Sequence, residues 1–118
     1  MLNKILLIED EESLRTLYCE ELAKEGYEIF SASDGMEGLS ILEENEVDLV
    51  VLDIKMPNMD GLEMLRTILG KRKNVKSIIY TSYPHYKTDF MSWAADAYLV
   101  KSSNLIELKS TIRELLNG

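Results

Sequence analysis

Four short apolar runs and one alternating segment, separated by longer stretches of helical period, constrain what this chain can fold into. Strands buried on both faces read as continuous apolar runs, and strands alternating with helices build a parallel sheet covered on both sides. The predicted strands are Ile5–Ile8, Tyr27–Ala32, Leu49–Leu52, Ser77–Thr81 and Ala97–Val100. After the first, Leu14, Leu17, Tyr18 and Leu22 recur at helical spacing until Gly26 stops the pattern. Asp34-Gly-Met-Glu37 has the form of a helix start, with Leu39 and Leu42 on one face. Leu62, Leu65 and Leu69 mark a third helix, closed by Gly70 and the turn Lys71-Arg72-Lys73. Tyr83–Ala95 is expected to hold a short helix carrying Phe90 and Trp93. Asn104-Leu-Ile-Glu107 has capping-box form and opens a last helix through Leu105, Leu108, Ile112 and Leu115.

The expected architecture is α/β: a doubly wound, flavodoxin-like sandwich of five β/α units around a parallel sheet of order 2-1-3-4-5. With 118 residues and no low-complexity tract, repeat or linker, residues 1–118 are read as one domain. A hydrophobic share of 46% can fill its core. Cys19 is the only cysteine, so no internal disulfide forms, and a reducing cytoplasm is the natural compartment. The first apolar run is too short for a signal peptide or a membrane span. A formal net charge of −8 argues against direct contact with nucleic acid, which needs a basic face.

In open α/β sheets, ligands bind outside the carboxyl ends of the strands. There the sequence places Glu9 and Asp10 after strand one and Asp53 after strand three. Thr81 ends strand four and Lys101 follows strand five. Converging carboxylates repel one another and raise an apparent pKa unless a cation sits among them. A hard ion such as Mg²⁺, with oxygen ligands, resolves the repulsion. A carboxylate beside it can then act as a nucleophile toward phosphorus, with an ammonium and a hydroxyl holding the phosphoryl oxygens. A nucleotide-binding enzyme would carry a glycine-rich loop after strand one; here that loop is Glu-Asp-Glu-Glu.

Four segments carry a resemblance: Leu-Leu-Ile-Glu-Asp-Glu-Glu, Val-Val-Leu-Asp-Ile-Lys-Met-Pro-Asn-Met-Asp-Gly, Ile-Ile-Tyr-Thr-Ser and Ala-Asp-Ala-Tyr-Leu-Val-Lys. In this order, the chain resembles response-regulator receiver domains of two-component signalling, over its whole length. The resemblance implies that Asp53 is the phosphoacceptor. It implies that Asp10, Asp53 and the backbone carbonyl of Lys55 ligate Mg²⁺, with Glu9 binding through water or directly. Thr81 and Lys101 would contact the phosphoryl group, and Tyr98 would be an aromatic switch. Lys55 and Tyr83 would tune phosphoryl lifetime. The implied partners are a sensor histidine kinase or phosphotransfer protein and an output domain or effector, with a homodimer possible through the last two β/α units. The implied activity is confined to the domain's own phosphorylation and dephosphorylation, which switches the face running from strand four to the last helix.

The chain departs from the family pattern at Ser102, where a proline is usual after the lysine, and at Ala95, where glycine is common. The segment between Thr81 and Lys101 is also short, with Pro84 near its start. These departures fall on the output face, so two alternatives are carried. One is a pseudo-receiver that binds proteins without phosphorylation. The other is a Mg²⁺-dependent aspartyl phosphatase, although such enzymes place two aspartates around one residue after the first strand. The remaining residues have plainer readings. His85 and the Lys71-Arg72-Lys73 turn are read as solvated, Phe90, Met91 and Trp93 as cover for the sheet, and Cys19 as buried and inert.

Overall fold

The computed structural model describes residues 2–53, 67, 70, 74–83 and 95–117. Their strands are β1 (Lys4–Ile8), β2 (Glu28–Ala32), β3 (Leu49–Leu52), β4 (Lys76–Thr81) and β5 (Ala97–Val100). The described helices are α1 (Glu12–Lys24), α2 (Gly35–Glu44) and α3 (Ile106–Asn117). All strand pairs are parallel, and the sheet order is β2-β1-β3-β4-β5, as the alternation of runs predicts. Strand bounds differ from expectation by one residue at β1, β2 and β4. The third helix expected from Leu62, the loop carrying Lys55, and the segment with Pro84, His85, Phe90, Met91 and Trp93 lie outside the described residues.

The core divides by the two-residue period of the strands. Ile5 and Leu7 pack with Leu49, Val51, Ile78 and Tyr80 under Tyr18 and Leu22 of α1 and Leu108 and Ile112 of α3. Leu6 and Ile8 point the other way, joining Val50, Leu52, Ile79 and Tyr98 against Leu42 of α2. Each such side chain, removed from water, contributes about 1.5–3 kcal/mol before the cost of ordering the chain. Apolar runs without polar alternation are thus the consequence of a sheet covered twice.

Local chemistry sets the helix starts and turns. Asp34 Oδ1 accepts from the Glu37 amide at 2.9 Å, and the Glu37 carboxylate reaches back to the Ser33 amide and hydroxyl. At α3 the Asn104 side chain accepts from the Ile106 amide at 3.2 Å. Gly26 turns the chain from α1 into β2 at φ +96°, a left-handed conformation that a Cβ disfavours. Gly38 lets α2 lie close on β1, since a Cβ there would sit 2.5 Å from Ile8 Cδ1.

Candidate functional site

The strand register brings the acids together. Ile8 pairs with Leu52, so the residues that follow, Glu9 and Asp53, leave β1 and β3 at the same level. The ladder continues one step past the strands: Asp53 donates its amide to Ile8 O, Glu9 to Ala32 O, and Lys101 to Thr81 O. Glu9, Asp53 and Lys101 are therefore each held by a backbone hydrogen bond at a strand end.

Lys101 Nζ lies between two carboxylates, 2.6 Å from Glu9 Oε1 and 2.9 Å from Asp53 Oδ2. All three groups are shielded, with side-chain exposures of 13% for Lys101, 1% for Glu9 and 10% for Asp53. Asp10 is exposed beside them, and one carboxylate oxygen each from Glu9, Asp10 and Asp53 lies within 4.8 Å of the others. Burial pushes the Glu9 carboxyl above its ordinary value; the Lys101 ammonium opposes that shift without cancelling it, and Asp53 adds to it. Burial also disfavours the charge on Lys101, but its bonds to Glu9 and Asp53 outweigh this and hold it protonated above the ordinary lysine range. Among the described residues, three carboxylates thus gather beside the Lys101 ammonium.

A cleft of about 190 Å³ opens over this cluster, lined by Glu9, Asp10, Glu11, Leu14, Asp53, Ser82, Tyr83 and Lys101. Thr81 lies beneath it, 1% exposed, and its hydroxyl oxygen accepts from the Tyr83 amide at 3.3 Å. Tyr98 is buried, and its hydroxyl donates to the Tyr83 carbonyl. Tyr83 therefore ties Thr81 to Tyr98. Lys55, expected to offer a carbonyl ligand and a tuning side chain, lies outside the described residues.

Two further groups support Lys101 without any local sequence signal. Tyr18 of α1 places its ring centroid 5.7 Å from Lys101 Nζ, and it meets Tyr80 of β4 edge to face at 5.5 Å. Burial pushes the Tyr18 hydroxyl up to about 12 and raises Tyr80 as well. Only the helical spacing of Tyr18 was readable; its meeting with a strand-five lysine was not. The Lys101–Ser102 peptide is trans. Cys19 is half-buried, less enclosed than expected, and burial raises its thiol pKa.

The donor set fits a small hard cation. One oxygen from each of the three acids lies within 4.8 Å of the others, so Glu9, Asp10 and Asp53 could together hold an ion that prefers oxygen ligands. Asp10, exposed at the rim, leaves room for water and for a further oxygen ligand.

Comparison with known proteins points the same way. The family model for the response regulator receiver domain matches residues 5–113. Sporulation initiation phosphotransferase F of Bacillus subtilis is 32% identical over 118 residues, covering 98% of this chain and 95% of its own. Response regulator TrrA of Thermotoga maritima, solved in complex with Mg²⁺-BeF, superposes with a TM-score of 0.88 at 46% identity, covering 97% of this chain and 99% of that one. The same regulator in complex with histidine kinase ThkA gives a TM-score of 0.86 at 47% identity, covering 98% and 99%. Other curated relatives are longer: this chain spans about half of several and 12% of a sensor kinase.

Proposed function

This chain belongs to the response regulator receiver domain family of two-component signalling, and we propose that Asp53 is its phosphoacceptor and that phosphorylation requires Mg²⁺. The observation that carries this reading is Lys101 Nζ bridging Asp53 and buried Glu9, with Asp10 beside them. Glu9, Asp10 and Asp53 would hold the ion, with the Lys55 carbonyl completing the set. Bound there, Mg²⁺ would neutralise charge on the phosphoryl oxygens.

Asp53 attacks phosphorus through a carboxylate oxygen, and the bond to the donor's leaving group breaks with its electron pair. Lys101, already on Asp53, transfers one hydrogen bond to a phosphoryl oxygen. Thr81 offers its hydroxyl proton to another. Movement of Thr81 toward the phosphoryl group disturbs the Tyr83 amide contact, and through it the Tyr83–Tyr98 bond. That chain is the switch: charge at Asp53 shifts an existing equilibrium of the face between β4 and α3. In this reading Tyr83 also tunes how long the phosphoryl group survives, since it lines the cleft.

The donor is a histidine kinase or phosphotransfer protein, consistent with the kinase complex of the related TrrA. The domain acts in the cytoplasm as one unit over residues 1–118, on an effector or output domain. Among the described residues, no helix is long and apolar enough to cross a membrane.

Incubation with acetyl phosphate and Mg²⁺, read by intact mass, tests the reading. A single phosphoryl adduct on wild type, absent from Asp53→Asn and absent without Mg²⁺, is expected. An adduct retained by Asp53→Asn refutes the assignment. Failure of the folded wild type to react favours the pseudo-receiver. Steady turnover of a phosphomonoester revives the phosphatase.

A further inference from the structure

We propose that Arg15 is a positioning residue that holds the backbone of Glu9 and Asp10 so that both carboxylates face Asp53; this rests on the metal site read above. The loop from β1 into α1 carries two of the three acids, and within it the Glu9 carboxylate accepts from the Glu11 amide at 3.1 Å. Glu11, at the N-cap, makes no side-chain capping bond. Arg15, in the first turn of α1, closes the gap. Its Nη1 donates to the Glu9 carbonyl at 2.9 Å and reaches the Asp10 carbonyl at 3.4 Å, while its amide bonds the Glu11 carbonyl at 2.9 Å. A planar guanidinium fixes direction as well as distance, which a lysine ammonium does not. The side chain is half-buried, so its bond to the Glu9 carbonyl is partly sheltered from competing water, while its contact with the Asp10 carbonyl is exposed.

The sign of its effect separates positioning from charge. Arg15 is a cation near a cation site, so as a bare charge it weakens metal binding, and its removal would tighten binding. As an organiser of ligand backbone it strengthens binding, and its removal loosens it. Groups that orient metal ligands typically change affinity by about 10–100-fold when lost.

Mn²⁺ shares the oxygen preference of Mg²⁺. Titration of the whole chain with Mn²⁺, followed by the loss of the free-ion paramagnetic resonance signal, therefore reads affinity without any turnover. For Arg15→Met we expect about 10-fold weaker binding, with melting in metal-free buffer unchanged. For Arg15→Lys, which keeps the charge and loses the fork, we expect intermediate affinity. Unchanged or tighter binding by Arg15→Met overturns the proposal. If that variant does not fold, Arg15→Lys decides: weaker binding supports positioning, and wild-type affinity overturns it. A wild type that binds no Mn²⁺ overturns the metal site itself, and the role of Arg15 with it.

Discussion

The two ends of the sheet both carry aspartates at strand termini, but they use them differently. At the amino end, Asp48 just before β3 accepts from the Lys4 amide at 2.7 Å. Asp96 just before β5 accepts from the Ser77 amide at 2.8 Å. Each of these carboxylates caps the first open amide of a neighbouring strand. At the carboxyl end, Glu9, Asp10 and Asp53 gather around Lys101. The difference lies in donors. Where an acid meets a backbone amide of its own sheet, it closes the ladder; where carboxylates cluster beside a lysine under an open cleft, a ligand can share their charge.

The contrast is broken most severely at Asp53. Asp53→Asn is expected to abolish phosphoryl uptake while leaving the folded state intact by circular dichroism, because the amide remains a partner for Lys101. Next in size is Lys101→Met, which leaves buried Glu9 facing Asp53 without its counter-charge. Loss of one partner from a buried pair costs about 3 kcal/mol, to be read by urea unfolding without metal, with Mg²⁺ recovering more stability than it adds to wild type.

The amino end should respond oppositely. Asp48→Ala or Asp96→Ala leaves a strand amide unpaired and is expected to cost about 1–2 kcal/mol in urea unfolding. Mn²⁺ affinity in these variants should match wild type. A large loss of affinity would erase the distinction between the two ends.

The smallest effect concerns the aromatic pair under Lys101. Burial raises the Tyr18 hydroxyl from its ordinary value of 10.0 to about 12 in the fold. The folded state thus holds the phenol proton more tightly than the unfolded chain does. Its contribution to stability is complete below pH 10 and is lost as pH rises toward 12. Phenolate absorbance should show Tyr18 and Tyr80 ionising later in the native protein than in urea. A single transition near 10 in the native protein would remove the buried seat.

Much of this was legible in the sequence, for a physical reason. Four apolar runs and one alternating segment report a covered parallel sheet, and the residue after each must fall on its carboxyl edge, so Glu9, Asp53 and Lys101 could be placed before any contact was known. What could not be read depends on register between distant segments. Asp48 and Asp53 both flank the same strand, and nothing local says that one caps the Lys4 amide 44 residues away while the other meets Lys101. Their order offered a signal: an acid immediately before a strand sits on the amino edge. Tyr18 and Arg15 were hidden differently. Both lie on one face of α1, since positions 15, 18 and 22 share the i, i+3, i+7 spacing, and that spacing reveals no partner at a strand end.

The central claim is tested most directly by a crystal structure of this chain with Mg²⁺ and beryllofluoride, a mimic of the phosphoryl group. Beryllofluoride on the Asp53 carboxylate is expected, with Lys101 Nζ on a fluoride and the ion among Glu9, Asp10 and Asp53. Beryllofluoride bound elsewhere, or an ion held without Asp10 and Asp53, would contradict the account.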